Sequence, residues 1–120
     1  MQAMTIEDVL KATGGTLLSG DIHQTFNDVI SDSRKVTAGV LFVPLVGEKF
    51  DGHEFIKAAF DLGASAVLTQ RDTELLVDKT IVKVEDTLKA FGDIAKYYKQ
   101  KYNVLIIPKV KGFSTRLVEF

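Results

Sequence analysis

The sequence predicts an α/β fold in which a small sheet is covered by helices on both faces, and three observations lead there. Short apolar runs, too brief for buried helices, alternate through the middle of the chain with segments of helical periodicity. The run Val40 to Val46 is apolar without interruption, as expected of a strand buried on both faces rather than one. The length of 120 residues fits one hydrophobic core.

Taken in order, Thr5 and Asp8 form an N-cap pair ahead of the apolar stripe Ile6, Val9 and Leu10, and Gly14-Gly15 stops the segment, so Thr5 to Ala12 is expected to be a short helix. Thr16 to Leu18 and Thr25 to Ile30 read as strands around the turn-forming Ser19-Gly20-Asp21. The second runs directly into the polar tetrapeptide Ser31-Asp32-Ser33-Arg34. Val40 to Val46 is the central strand, although Pro44 removes one ladder donor from it. Gly47 to Gly52 is a polar loop. Phe55, Ala58, Ala59 and Leu62 then recur at helical spacing behind Asp51 as N-cap, with Gly63 at the stop. Ser65 to Thr69 and Thr80 to Val84 are two further strands, joined by the charged stretch Arg71 to Lys79. A longer helix follows from about Asp86 to Tyr102, its expected stripe being Leu88, Phe91, Ile94, Ala95 and Tyr98.

Composition narrows the function classes. With 46% hydrophobic and 26% charged residues of both signs, the chain should fold as an ordinary globular domain. A formal net charge of -1 and the lack of any basic run leave nothing to track a polyanion, so nucleic acid is not an expected partner. No apolar run approaches the ~20 residues that span a bilayer, and no charged-then-apolar leader opens the chain, so no membrane association is expected and the location expected is cytoplasmic. Cysteine is absent, which removes disulfides, thiolate metal sites and a thiol nucleophile.

Few residues are placed to carry chemistry. His23 and His53 lie far apart and form no ligand spacing, so each is expected on the surface or in a cap, and no metal site is expected. Asp32 and Arg34, flanked by Ser31 and Ser33, stand at a strand end, where α/β proteins commonly place ligands; on spacing alone the same residues more readily describe a turn held by Asx-type bonds and an ion pair. The loop Gly47-Glu48-Lys49-Phe50-Asp51-Gly52 offers an aromatic face and a lysine beside a helix N-terminus, or else it is a solvated connection whose Phe50 staples the helix. These two segments flank one strand. Together they would offer hydroxyls, backbone amides and an aromatic face to a nucleotide-like ligand, but the residues do not select which.

Read as one stretch, Asp32-Ser33-Arg34, Gly39-Val40-Leu41-Phe42-Val43, Gly47, Asp51-Gly52-His53-Glu54-Phe55, Ala58-Ala59 and Gly63-Ala64 resemble the N-terminal domain of the Mur ligases MurE and MurF, in order and spacing. Phe50-Asp51-Gly52-His53 and the helix from Asp86 to Tyr102 look more like MurF. The resemblance covers roughly residues 4–107 and implies the small mixed sheet of that domain type. It also implies an ATP-dependent cytosolic amide ligase of peptidoglycan synthesis. In MurF, D-alanyl-D-alanine is joined to UDP-N-acetylmuramoyl-tripeptide through an acyl-phosphate, the first domain holding the UDP end while the central domain binds ATP and magnesium.

Carried onto this chain, the resemblance implies that Ser33 hydrogen-bonds the uracil region. It implies further that Glu48, Lys49 and Phe50 line the uracil and ribose-diphosphate side, with Lys49 meeting the diphosphate charge. Asp32, Arg34, Asp51 and Gly52 would mainly shape the turns. Two departures stand out. Pro44 occupies a position where the family more often has alanine, and the stretch Pro108 to Leu117 holds no glycine-rich phosphate loop ending in Gly-Lys-Thr or Gly-Lys-Ser. Residues 1–103 are therefore expected to form the UDP-sugar-binding domain, inactive alone and without a cofactor of its own, and residues 104–120 the start of a central domain or a non-native tail. A stand-alone interaction module and a small nucleotide-binding enzyme are the competing classes, the latter disfavoured because no activated nucleophile or paired carboxylate is evident.

Overall fold

A computed structural model describes residues 2–71, 78–102, 104–108 and 115–119. Its centre is a five-stranded mixed sheet in the order β2-β7-β6-β5-β4, where β2 is Thr16–Ser19, β4 Val29–Ile30, β5 Leu41–Phe42, β6 Ala66–Thr69 and β7 Thr80–Lys83. Strands β4 to β7 run parallel, and β2 closes the far edge antiparallel to β7. The parallel strands explain the sequence's uninterrupted apolar runs. Alternate residues of each point to opposite faces, and both faces must be dry.

The alternation sorts into two cores. Leu41, Val43, Ala66, Leu68, Val82 and Val84 face helix α1 (Ile6–Thr13) and helix α3 (Thr87–Tyr102), meeting Ile6, Val9, Ala90, Ile94 and Tyr98. Their neighbours Val40, Phe42, Val67 and Ile81 face the other way, onto Val36, Ile56, Ala59 and Phe60, the last three from helix α2 (Ile56–Asp61). Each fully buried side chain of this size is worth ~1.5–3 kcal/mol. The helices therefore cover both faces, as the sequence predicts.

Three expectations need correcting. The segment Thr25 to Ile30 is not one strand: β3 (Thr25–Phe26) pairs antiparallel with β1 (Met4–Thr5) in a separate two-stranded sheet, and only β4 joins the main one. The chain turns between them because Asp28 accepts a hydrogen bond from the Val29 amide at 2.8 Å while the Asn27 amide donates to Gly39 at 2.9 Å. Strand β5 ends at Phe42, two residues before Pro44, rather than reaching Val46. Both helical stripes hold only in part: Ala59 of α2 and Ile94 and Tyr98 of α3 are buried as expected, and Phe91 packs against the core, but the rest differs. In α2 the inward residues are Ile56, Ala59 and Phe60, with Ala58 and Leu62 exposed; in α3 they are Thr87, Ala90, Ile94 and Tyr98, and Leu88 is 67% exposed. Residues 72–77 of the expected charged connection lie outside the described residues. Past α3, Val104–Pro108 (β8) and Thr115–Glu119 (β9) pair antiparallel, so the expected strand at Val104 to Ile107 has a partner that the sequence did not suggest.

Helix α1 is capped as the sequence predicts. Thr5 and Asp8 form a reciprocal capping box, and Gly14 ends the helix at φ 71°, a conformation open to glycine. Asp8 also reaches across to α3. Its carboxylate, 6% exposed, accepts from Tyr97 Oη at 3.1 Å and from Lys101 Nζ at 3.1 and 3.2 Å. Burial alone would raise its pKa, but the bonds from Thr5, Lys101 and Tyr97 outweigh it and hold the group below its ordinary 3.8.

Because the folded pKa lies below the unfolded one, this contribution to stability is complete above pH 3.8 and disappears as the pH falls through the folded value. Urea denaturation should show it: the wild type loses stability on acidification more steeply than Asp8→Asn. At pH 7, Asp8→Ala should cost roughly 1–3 kcal/mol by opening the capping box and stranding its α3 partners.

Candidate functional site

Parallel strands deliver all their carboxyl ends to one edge of the sheet, and the two candidate loops start there from neighbouring strands. The Val43 amide donates to the Ile30 carbonyl at 2.8 Å, so the ends of β4 and β5 lie side by side. Residues 31–35 leave the first and residues 44–52 leave the second.

After β4 the chain makes a single 3-10 turn, Ser33–Lys35, capped by Asp32. The Asp32 carboxylate accepts from the Arg34 amide at 2.9 Å and takes the Arg34 guanidinium in a two-pronged pair, Nε at 3.0 Å and the terminal nitrogen at 2.9 Å. These bonds from Arg34 hold the Asp32 pKa at about 2. The Arg34 side chain is 87% exposed, so the pair closes the turn on the surface. Ser33 is half-buried within it.

After β5, buried Pro44 and half-buried Leu45 lead into a narrow loop. Val46 bridges to Asp51, and the Gly47 amide donates to the Phe50 carbonyl at 2.7 Å. Glu48 and Lys49 stand exposed at its tip. Phe50 stacks on Phe55 with ring centres 5.8 Å apart at 23°, yet remains 51% exposed. The ring thus does the stapling that one reading foresaw and still leaves half of its surface exposed. Among the described residues, the side chains of Ser33, Glu48 and Lys49 make no hydrogen bond or ion pair.

Asp51 and Gly52 hold the base of this loop. Gly52 donates to the Leu45 carbonyl at 2.8 Å, and a Cβ there would lie 2.8 Å from the Leu45 nitrogen and 3.0 Å from Pro44 Cα. Asp51 caps a 3-10 turn, Gly52–Phe55, rather than α2 itself, which starts one turn later than the sequence suggests. Its carboxylate accepts from the His53 amide at 2.9 Å and from His53 Nδ1 at 2.8 Å, and pairs with Arg71. The His53 amide, with Arg71 and the imidazole, keeps the Asp51 pKa at about 2 against partial burial.

Gln70 and Thr87, which sequence patterns did not single out, extend this anchorage. His53 Nε2 accepts from the Gln70 amide at 2.9 Å, and Gln70 Oε1 accepts from the Thr87 amide and hydroxyl at 2.8 and 2.9 Å. One chain of bonds therefore runs from the loop after β5, past the end of β6, to the first turn of α3. Only the proximity of Asp51 to His53 was visible in the sequence.

A cleft of about 750 Å³ lies further along the same sheet edge, between the end of α1 and the start of α3, with Thr13, Thr16, Gln70, Lys83 and Asp86 in its walls. None of Ser33, Glu48, Lys49 or Phe50 lines it. Among the described residues no three of His, Asp or Glu come together as metal ligands, and no helix is long and apolar enough to cross a membrane.

Residues 25–99 match the family described as "Mur ligase family, catalytic domain". The chain belongs to the Mur ligase family. Over 105 residues it is 36% identical to the UDP-N-acetylmuramoyl-tripeptide--D-alanyl-D-alanine ligase of Bacillus subtilis, covering 86% of this chain and 23% of that protein. Over 113 residues it is 34% identical to the UDP-N-acetylmuramoyl-L-alanyl-D-glutamate--2,6-diaminopimelate ligase of Clostridioides difficile, 91% of this chain and 23% of that one. Its fold matches crystalline MurF from Acinetobacter baumannii with a TM-score of 0.75 at 25% identity, over 86% of this chain and 22% of that one. The chain thus spans under a quarter of the length of these Mur ligases. The expected resemblance to a Mur ligase N-terminal domain holds, with MurF structures and ligases of both the D-alanyl-D-alanine-adding and the diaminopimelate-adding kind among the relatives.

Gly52→Ala tests the packing at the base of the loop. The added methyl meets three backbone atoms of Pro44 and Leu45, so the variant should lose roughly 1–3 kcal/mol in urea denaturation, with the amide signals of Leu45 and Asp51 displaced.

Proposed function

We propose that this chain is the substrate-recognition domain of a MurF-type ligase of peptidoglycan synthesis and holds the UDP end of a UDP-N-acetylmuramoyl-peptide. The observation that carries the reading is the pair of loops at the carboxyl ends of adjacent parallel strands, the edge at which open α/β sheets take ligands. In this reading the Ser33 hydroxyl meets the uracil, the free face of Phe50 lies against a planar part of the uridine, and Lys49 and the amides of the 47–50 loop face the diphosphate. Glu48 lines the same loop. Asp32, Arg34, Asp51 and Gly52 keep the two turns in shape through their hydrogen bonds and close backbone packing.

The division of labour follows from chemistry. Recognition of UDP needs donors, an aromatic face and a cation, all supplied by the two loops. Activation of a carboxylate by ATP needs amides cradling the phosphates and a coordinated magnesium. The described residues offer no such cluster of metal ligands, and no step through ATP or magnesium is assigned to them. Those cofactors, and the joining of D-alanyl-D-alanine to the tripeptide, belong in this reading to the rest of a full-length cytoplasmic ligase. The diaminopimelate-adding relatives take a UDP-muramoyl substrate by name, so recognition of the UDP end suits both kinds, and the acceptor residue is decided elsewhere.

Titration of the 120-residue chain with UDP, followed by calorimetry and by amide shifts, tests the proposal. Perturbation should centre on Ser33 and on residues 47–50. Lys49→Ala should weaken UDP about three- to tenfold and flatten its salt dependence while leaving uridine binding unchanged. Phe50→Ala should weaken both ligands. Saturating UDP with no response at either loop would refute the assignment.

A further inference from the structure

His53 sits at the base of the candidate uridine loop, but its side chain is only 4% exposed, so it presents little surface to a ligand. Both of its ring nitrogens are engaged. The Gln70 backbone N–H can only donate, so Nε2 at 2.9 Å must be the acceptor. The ring proton therefore sits on Nδ1, which donates to Asp51 Oδ1 at 2.8 Å. Two partners of opposite polarity select one neutral tautomer and fix the plane of the ring.

The loop depends on that orientation. Asp51 is the bridge partner of Val46, and between them the Gly47 amide closes on the Phe50 carbonyl. Whatever anchors Asp51 therefore sets where Lys49 and Phe50 stand. Its anchors are the His53 amide, the His53 imidazole and Arg71. Arg71 and the imidazole both tie Asp51 to the chain after β6, but Arg71 is 55% exposed, so the imidazole is the buried tie, its plane set by the Gln70 amide while its Nδ1 proton holds Asp51.

We propose that His53 is a positioning residue for nucleotide recognition: locked in its Nδ1–H tautomer between Asp51 and Gln70, it holds the 47–50 loop in the shape that binds UDP. The inference rests on the reading of the two loops as a UDP site. It distinguishes His53 from a merely buried residue, because the two nitrogens have separable duties. Asparagine can reproduce the Nδ1 donor toward Asp51, whereas glutamine reaches toward Gln70 but leaves Asp51 without its side-chain donor.

The test uses the 120-residue chain with UDP as probe, comparing wild type, His53→Asn, His53→Gln and, as a control destabilised through the opposite core, Ile94→Ala. Below the melting temperature of each, His53→Gln should bind UDP at least about tenfold more weakly, with amide shifts at residues 47–50 already altered before ligand is added. His53→Asn should stay within about threefold of wild type, and Ile94→Ala should bind as wild type does. In the wild type, imidazole ¹⁵N shifts should show a protonated Nδ1 and an unprotonated Nε2.

Wild-type affinity in His53→Gln overturns the inference while leaving the reading of the site intact. An equal loss in Ile94→Ala overturns it too, since general destabilisation would then account for the effect. Should His53→Gln fail to fold, the wild-type spectrum and His53→Asn decide: an Nε2–H tautomer, or a tenfold loss in His53→Asn, overturns it. Failure of the wild type to bind UDP refutes the site reading itself, and this inference with it.

Discussion

A parallel sheet whose strands are apolar on both sides has to be covered twice, and most of this molecule follows from that requirement. Leu41, Ala66, Leu68 and Val82 on one face and Phe42, Val67 and Ile81 on the other all lie at 0% exposure. Neither set can stay in water, so α1 and α3 close one side and α2 the other. Covering both faces leaves the ends of the strands as the open places in the sheet. Recognition then has a natural address at the carboxyl edge, where the connections after β4, β5, β6 and β7 all begin.

The turns after β4 and β5 are held in different ways. The turn after β4 is held by a surface pair, Asp32 with Arg34, and by the amide it caps. The loop after β5 is held by backbone approach at Gly52 and by Asp51, whose partners come from its own turn and from beyond β6. The second arrangement is less exposed and links more of the fold. Through His53 and Gln70 it joins three of the four strand connections, so the exposed tip at Glu48, Lys49 and Phe50 rests on a base tied to the interior. Asp8 plays a comparable part on the other side, drawing α1 and α3 together through one buried carboxylate.

Legibility in the sequence depended on whether the cause was local. The Thr5 and Asp8 capping box and the glycine stops at Gly14 and Gly63 involve neighbours in the chain, and each could be read from it. The helical stripes of α2 and α3 were only partly placed because a period of 3.6 residues admits two adjacent faces when apolar residues flank the true one. In α3, Ile94 and Tyr98 were read correctly, but Leu88 fits the pattern as well as Ala90 does, and only the position of the sheet selects Ala90. Thr25 to Ile30 looked like one strand because the separate sheets that divide it are built with residues far along the chain. His53 looked like a cap or a surface histidine, since its partner Gln70 lies 17 residues away.

By itself, then, the sequence determined the kind of fold, the family and the two segments at which recognition is proposed, because apolar alternation, caps and motif order are written in neighbouring residues. Tertiary structure alone decided which helix faces turn inward, which strands share a sheet and how the Phe50 loop is anchored. Those outcomes depend on hydrogen bonds and contacts between residues that only folding brings within reach, and no spacing along the chain encodes the distance between them.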